Sequence, residues 1–131
     1  MITYTGDVAS VATGRLEGFF EGWPASPAPS RRVAALAGAD HAVLAFDGPQ
    51  LVGFTTALTD GAMCAFIALL EVLPAYRGQG VGSELVRRIT SSLEPIYTVS
   101  LCCDDELVPF YERLGMQRLA GMMRHDRSAL A

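Results

Sequence analysis

A chain of 131 residues lies near the commonest size of a single domain and is long enough to bury a real core. Half of its residues are apolar and 18% are charged, which excludes a disordered chain. Ten arginines against 14 Asp and Glu leave a net charge of −4, which argues against an electrostatic binder of nucleic acid or of a membrane surface.

In chain order, residues 2–5 alternate and read as a short strand. Asp7 is placed to cap a helix over 8–21, whose Val8, Val11, Ala12, Leu16, Phe19 and Phe20 fall near one face. Gly18 and Gly22 weaken that helix, and Trp23-Pro24 stops it. Pro24, Pro27 and Pro29 mark a loop, after which Ser30 can cap a short helix over 31–37 that Gly38 ends. Residues 41–46 and 51–58 form a hairpin through Asp47-Gly48-Pro49-Gln50. A turn at 59–61 leads into a long strand over 63–73, apolar on both faces except at Glu71, and so expected to be central and covered on both sides. A helix follows with Val81, Leu85, Val86, Ile89 and Leu93 on one face, and Pro95 breaks it. Next come a strand over 97–102 and a helix opening at Asp104-Asp105-Glu106, where negative charge meets the positive helix end. Its stripe is Leu107, Phe110, Tyr111 and Leu114, its cap is Gly115, and a last strand runs over 116–124. The order β-α-α-β-β-β-α-β-α-β predicts a mixed α/β sheet, α+β in character, in one domain over 1–131.

No apolar run approaches the ~18 residues of a membrane span, so no membrane partner is expected. Residues 1–5 lack the charged start and apolar core of an export signal, and three cysteines suggest no disulfide framework. A cytoplasmic protein is the expectation. The adjacent Cys102 and Cys103 would point to opposite faces of a strand, and His41 and His125 have no metal-like spacing. All three cysteines therefore read as small buried hydrophobes, and no metal is expected.

The stretch over 69–88, LLEVLPAYRGQGVGSELVRR, carries the strongest chemistry. A strand feeds a turn with Gly78, Gly80 and Gly82 that opens a helix. Bare amides at a helix start, together with the helix dipole, make a phosphate site, and Arg77 adds a fork of charged donors. The spacing excludes a Walker A loop, since the chain has no lysine. It also excludes the Gly-x-Gly-x-x-Gly dinucleotide fingerprint, because the sixth position from Gly78 is Ser83. What remains, Val72-Leu73-Pro74-Ala75-Tyr76-Arg77-Gly78-Gln79-Gly80-Val81-Gly82, resembles motif A of the GNAT acetyltransferase superfamily. Phe110-Tyr111-Glu112-Arg113-Leu114-Gly115-Met116 resembles the second signature of the same superfamily.

The resemblance implies a GNAT fold, with a mixed central sheet of about six to seven strands flanked by about four helices. It also implies an N-acetyltransferase with acetyl-CoA as cosubstrate. The cofactor's pyrophosphate would lie on the amides of Arg77, Gly78, Gln79, Gly80, Val81, Gly82 and Ser83, with side-chain support from Arg77 and Gln79. Backbone groups of Leu70 and Val72 would pair with the pantetheine arm where two parallel strands splay. Tyr111 would protonate the departing thiolate, a role the chemistry requires of some hydroxyl near the sulfur. Related enzymes often carry asparagine at the start of the second-signature helix. This chain has none, and Asp104 or Asp105 stands there.

For the proton acceptor, the residues offer three routes: Glu71, Glu21 beside Trp23, or water. A lone carboxylate in an apolar strand has a raised pKa if unpaired, which suits Glu71 as a base, but pairing with an arginine or an amide would make it structural. Trp23 reads equally as an aromatic wall for the acceptor or as a core plug with its N–H toward water. The acceptor is expected to be a small amine, since the chain has no further domain to grip a protein. The alternative is a non-catalytic acyl-CoA-binding module of the same fold. Members of the superfamily often pair, so a homodimer is an open expectation.

Overall fold

The structure, a computed structural model, describes residues 1–11 and 16–131. The sheet has the order β1 (Ile2–Thr5), β2 (His41–Asp47), β3 (Gln50–Thr59), β4 (Cys64–Val72), β5 (Thr98–Ser100). The first four strands are antiparallel neighbours, and β5 lies parallel to β4. Their turns use residues suited to them: Gly48 and Gly61 take positive φ, and Asp60 Oδ1 accepts the N–H groups of Ala62, Met63 and Cys64. Those three amides hold the exposed Asp60 carboxyl at about 2.

Alternation along the strands sends side chains to two cores. On one face, helix α2 (Val81–Ser92) lays Val81, Leu85 and Ile89 against Val43, Ala45, Val52, Ala57, Ala65 and Ile67. Gly53 permits this close approach. A Cβ there would meet the Glu71 carbonyl at 3.1 Å and the side chains of Leu85 and Val81 at 3.2 and 3.3 Å. On the other face, helix α1 (Pro29–Ala37) and the segment 16–20 cover Leu44, Leu51 and Phe54. Helix α3 (Val108–Arg113) follows β5.

Several expectations are corrected. The helix over 8–21 is instead a 3-10 turn, Val8–Ser10, with Asp7 accepting from the Ala9 N–H. Residues 12–15 of that stretch lie outside the described residues. Leu16 lies in a 3-10 turn, and from Glu17 the chain is non-helical, with positive φ at Gly18 (85°), Phe20 (65°) and Gly22 (77°). Val11, Leu16, Phe19 and Phe20 are nonetheless buried. The apolar spacing identified the residues that go inside, and the glycines decided against a helix. Helix α1 begins at Pro29 with no side-chain cap; proline at the first position supplies a preset φ and lacks the N–H that would need a partner.

β4 is buried on one face only. Ala65 and Ile67 lie under α2, while Cys64, Phe66 and Ala68 are exposed, because the opposite cover reaches β4 only near Leu69. The last strand, over 116–124, does not form. Among the described residues there are five strands and three α-helices, fewer than expected. The stretch leaves Leu119, Met122 and Met123 exposed, and β5 offers only three paired residues as a template.

Candidate active site

β4 runs nine residues but pairs with β5 over only three, Cys64 to Phe66. Beyond that point the two parallel strands separate, and the edge of β4 from 67 to 72 faces an opening. Leu73 donates its N–H to the Val52 carbonyl at 2.9 Å, on the β3 side. Backbone groups alternate along a strand, so Leu70 and Val72 turn theirs toward the opening. The Val72 carbonyl there accepts from Arg77 Nε at 3.1 Å.

At the end of β4 a 3-10 turn, Pro74–Tyr76, sends the chain into the glycine loop. The Tyr76 hydroxyl ties it to the β2–β3 hairpin by donating to Asp47 Oδ2 at 2.7 Å. Gly78 and Gly80 have φ of 75° and 85°, which glycine alone takes without strain. Gly80 is the N-cap of α2 and offers no side chain to its amides. Glu84 N–H bonds to the Gly80 carbonyl, and among the described residues the N–H groups from 78 to 83 have no acceptor. A row of bare amides on a twelve-residue helix start is an anion site. The Gln79 side chain donates to the Ala75 carbonyl at 3.1 Å and so braces the loop itself.

α3 closes the other side. A Cβ on Gly82 would lie 3.6 Å from the Phe110 ring and 3.8 Å from Val72, so the start of α2, the end of β4 and α3 meet there. Tyr111 is buried and packs edge-on against Phe110, with centroids 4.9 Å apart. Burial, with a smaller contribution from the Cys103 thiol, pushes its pKa up to about 12. It keeps its proton throughout the neutral range. With Cys103, Val99 and Leu101 it lines a cleft of about 970 Å³ between β5, α3 and the chain beyond it.

A second group sits at the same end of β4, where Glu71 meets the segment 16–23. Glu71 is half-buried, and its Oε1 accepts the Phe20 N–H at 3.2 Å. The Trp23 indole lies near enough to favour its charged form. Burial raises the Glu71 pKa; the Phe20 N–H, the Arg77 charge and the Trp23 indole pull it back, and Glu21 adds a small upward push. Trp23 is 38% exposed, with its ring edge-on to Phe20 at 5.1 Å. The structure thus brings Glu71, Glu21 and Trp23 together, and separately gathers Leu70, Val72 and the loop from Arg77 to Ser83. No hydrogen bond or ring contact joins Tyr111 to the Glu71 group among the described residues.

Two sequence readings change here. The three cysteines are exposed rather than buried. Asp104 makes no side-chain capping bond, and Asp105 pairs with Arg118 at 2.9 Å. Sequence reasoning missed Phe110 as the contact to Gly82, Cys103 beside Tyr111, and the left-handed Phe20. Only the last had a signal, the glycines flanking it at 18 and 22.

A model of the acetyltransferase (GNAT) family matches residues 8–116. A crystal structure of a candidate acetyltransferase from Deinococcus radiodurans R1 superposes with a TM-score of 0.91 at 43% identity, covering 97% of this chain and 90% of that one. A GNAT family acetyltransferase from Streptococcus pneumoniae TIGR4 gives a TM-score of 0.80 at 27% identity, covering 97% and 99%. Among curated proteins, histone acetyltransferase TAP1 of Glycine max is 30% identical over 109 residues, 73% of this chain and 47% of that protein. GCN5-related N-acetyltransferase 2, chloroplastic, of Arabidopsis thaliana is 37% identical over 70 residues, 52% of this chain and 27% of that protein. The chain thus spans less than half the length of these two plant relatives. With the family model covering most of the chain, and a splayed β4–β5 edge leading into a bare-amide helix start, the chain belongs to the acetyltransferase (GNAT) family.

Proposed function

We propose that the chain transfers the acetyl group of acetyl-CoA to the amine of a small acceptor, by direct attack with both substrates bound. The observation that carries this is the continuity of the site. An open strand edge at Leu70 and Val72 runs into the bare amides from 78 to 83. An edge can pair with the amide-bearing pantetheine arm as an added strand would, and the helix start can take the diphosphate. The same edge directs an N–H toward the thioester carbonyl, where it stabilises developing negative charge.

The amine attacks the thioester carbon, an N–C bond forms, and the C–S bond breaks. Tyr111 gives its proton to the departing sulfur and recovers one from solvent. The amine's proton leaves toward water or toward Glu21, which is exposed beside Trp23. Trp23 forms the wall against which the acceptor rests.

A thermal melt with acetyl-CoA tests the first half of this reading. At ~100 times its dissociation constant the ligand should stabilise the native state by ~2.7 kcal/mol. For a chain of this size that raises Tm by roughly 8–12 °C, and adenosine alone should not do so. No rise would exclude the cofactor assignment. A rise without thiol release across a panel of small amines and a lysine peptide would leave the non-catalytic acyl-CoA-binding module.

A further inference from the structure

Phe20 is the one non-glycine residue with positive φ among the described residues, at 65°. An aromatic side chain in that region is strained, and such strain persists only where surrounding contacts over-determine it. Here they are visible. The Phe20 N–H donates to Glu71 across 51 positions of sequence. The Phe20 ring packs on Phe54 at 6.0 Å and on Trp23 at 5.1 Å, and the Arg32 guanidinium lies over it at 5.3 Å. Arg32 also donates to the Leu16 carbonyl at 3.2 Å, holding the start of the same segment from α1. Gly18 passes so close to β4 that a Cβ there would lie 3.2 Å from a methyl of Leu73.

We propose that Glu71 is a positioning residue: its carboxylate holds the segment 16–23 in its strained form through the Phe20 N–H and so, through the Phe20–Trp23 ring contact, sets the acceptor wall. This rests on the acetyl-transfer reading given above. The Phe20 N–H and the Arg77 charge both favour the carboxylate form and so act against uptake of a proton from substrate. In this role Glu71 acts on acceptor binding, through Trp23, rather than on the chemical step.

The single tryptophan makes the idea testable without a known acceptor. Glu71→Gln keeps the size of the side chain but removes its charge and turns one acceptor oxygen into a donor amide, so its hold on the Phe20 N–H weakens. Free of ligand, this variant should show Trp23 emission shifted to the red and quenched by acrylamide about twice as efficiently, with a native circular dichroism spectrum. With the best amine of the panel, the acceptor KM should rise about tenfold while kcat stays within about threefold and its pH profile keeps its shape. Unchanged emission and quenching would overturn the proposal. So would a collapse of kcat at constant KM with loss of the pH-dependent limb, which would make Glu71 the proton acceptor. Should Glu71→Gln not fold, Glu71→Asp keeps the charge but draws the carboxylate back from the Phe20 N–H, and must still raise the acceptor KM at held kcat. Failure of the acetyl-transfer reading shows differently, as wild-type protein that acetyl-CoA does not stabilise while the emission change in Glu71→Gln persists.

Discussion

Tyr111→Phe is expected to slow acetyl transfer by on the order of a hundredfold or more, while the melt shift with acetyl-CoA stays near that of the wild type. The ring stays, so the edge-on packing against Phe110 is kept and only the hydroxyl is lost. A thiolate leaving into a water-poor site without a proton donor must wait for solvent. The effect should fall on kcat and leave acceptor KM little changed, because the hydroxyl matters most as negative charge builds on sulfur. The pH dependence provides a second check. The Tyr111 pKa is raised to about 12, chiefly by burial, so the phenol holds its proton beyond the ordinary value near 10. Folding therefore favours the protonated form. The stability linked to it is fully present below pH ~10 and falls as pH rises through ~12. Following phenolate absorbance should reveal a tyrosine titrating near 12 that disappears in Tyr111→Phe. Wild-type turnover in the variant, or no loss of a late titration, would remove Tyr111 from the reaction.

The site was readable in the sequence where its residues act through backbone and local shape. Gly78 and Gly80 adopt positive φ, Gly80 caps α2, and the amides from 78 to 83 stay bare, because a glycine run between strand and helix permits little else. The hairpins also follow from local chemistry, with Gly48 and Gly61 at their turns. The parity of Leu70 and Val72 follows from the strand period once β4 is placed, but the splay that makes it useful does not. That splay depends on β5 having only three paired residues, which is decided by packing elsewhere in the fold.

Legibility ended where tertiary contacts override a local pattern. The apolar spacing from Val8 to Phe20 has a helical period and marks Val11, Leu16, Phe19 and Phe20 as buried, yet the described residues of the segment form no α-helix. Glu71 and Arg32, 51 and 12 positions away from Phe20, fix its left-handed turn, and no local rule names them. Gln79 and Arg77 also differ from a reading that aims both side chains at phosphate: each bonds a carbonyl of its own loop or strand end. The stretch 116–124 is the opposite case. It has strand-like composition, but strand pairing requires a partner edge as well as a pattern.

The same dependence on distant contacts sets the second large effect. Phe54→Ala should destabilise the protein by about 3–5 kcal/mol, the usual cost of removing a buried aromatic ring. Phe54 is fully buried at the middle of β3, where it faces the core that α1 and the segment 16–20 close. Its ring carries both aromatic contacts of that segment to the sheet, Phe19 edge-on at 5.2 Å and Phe20 at 6.0 Å. Unlike a truncation under α2, where a continuous helix can settle onto the gap, this one removes the support of a non-helical strap. The strap is otherwise held by Glu71, Arg32 and the packing at Leu16. Against a total stability of roughly 5–15 kcal/mol, the loss should lower Tm by about 10–20 °C, read by a thermal melt followed by circular dichroism. Phe54→Leu fills most of the space and should cost well under half as much. If strap and sheet are one cooperative unit, the Trp23 emission should change at the same temperature as the backbone signal in both variants. Emission that changes first in Phe54→Ala would mean that the strap opens on its own, with Glu71 alone too weak to hold it. A loss below about 1 kcal/mol would show that this face is not the core described.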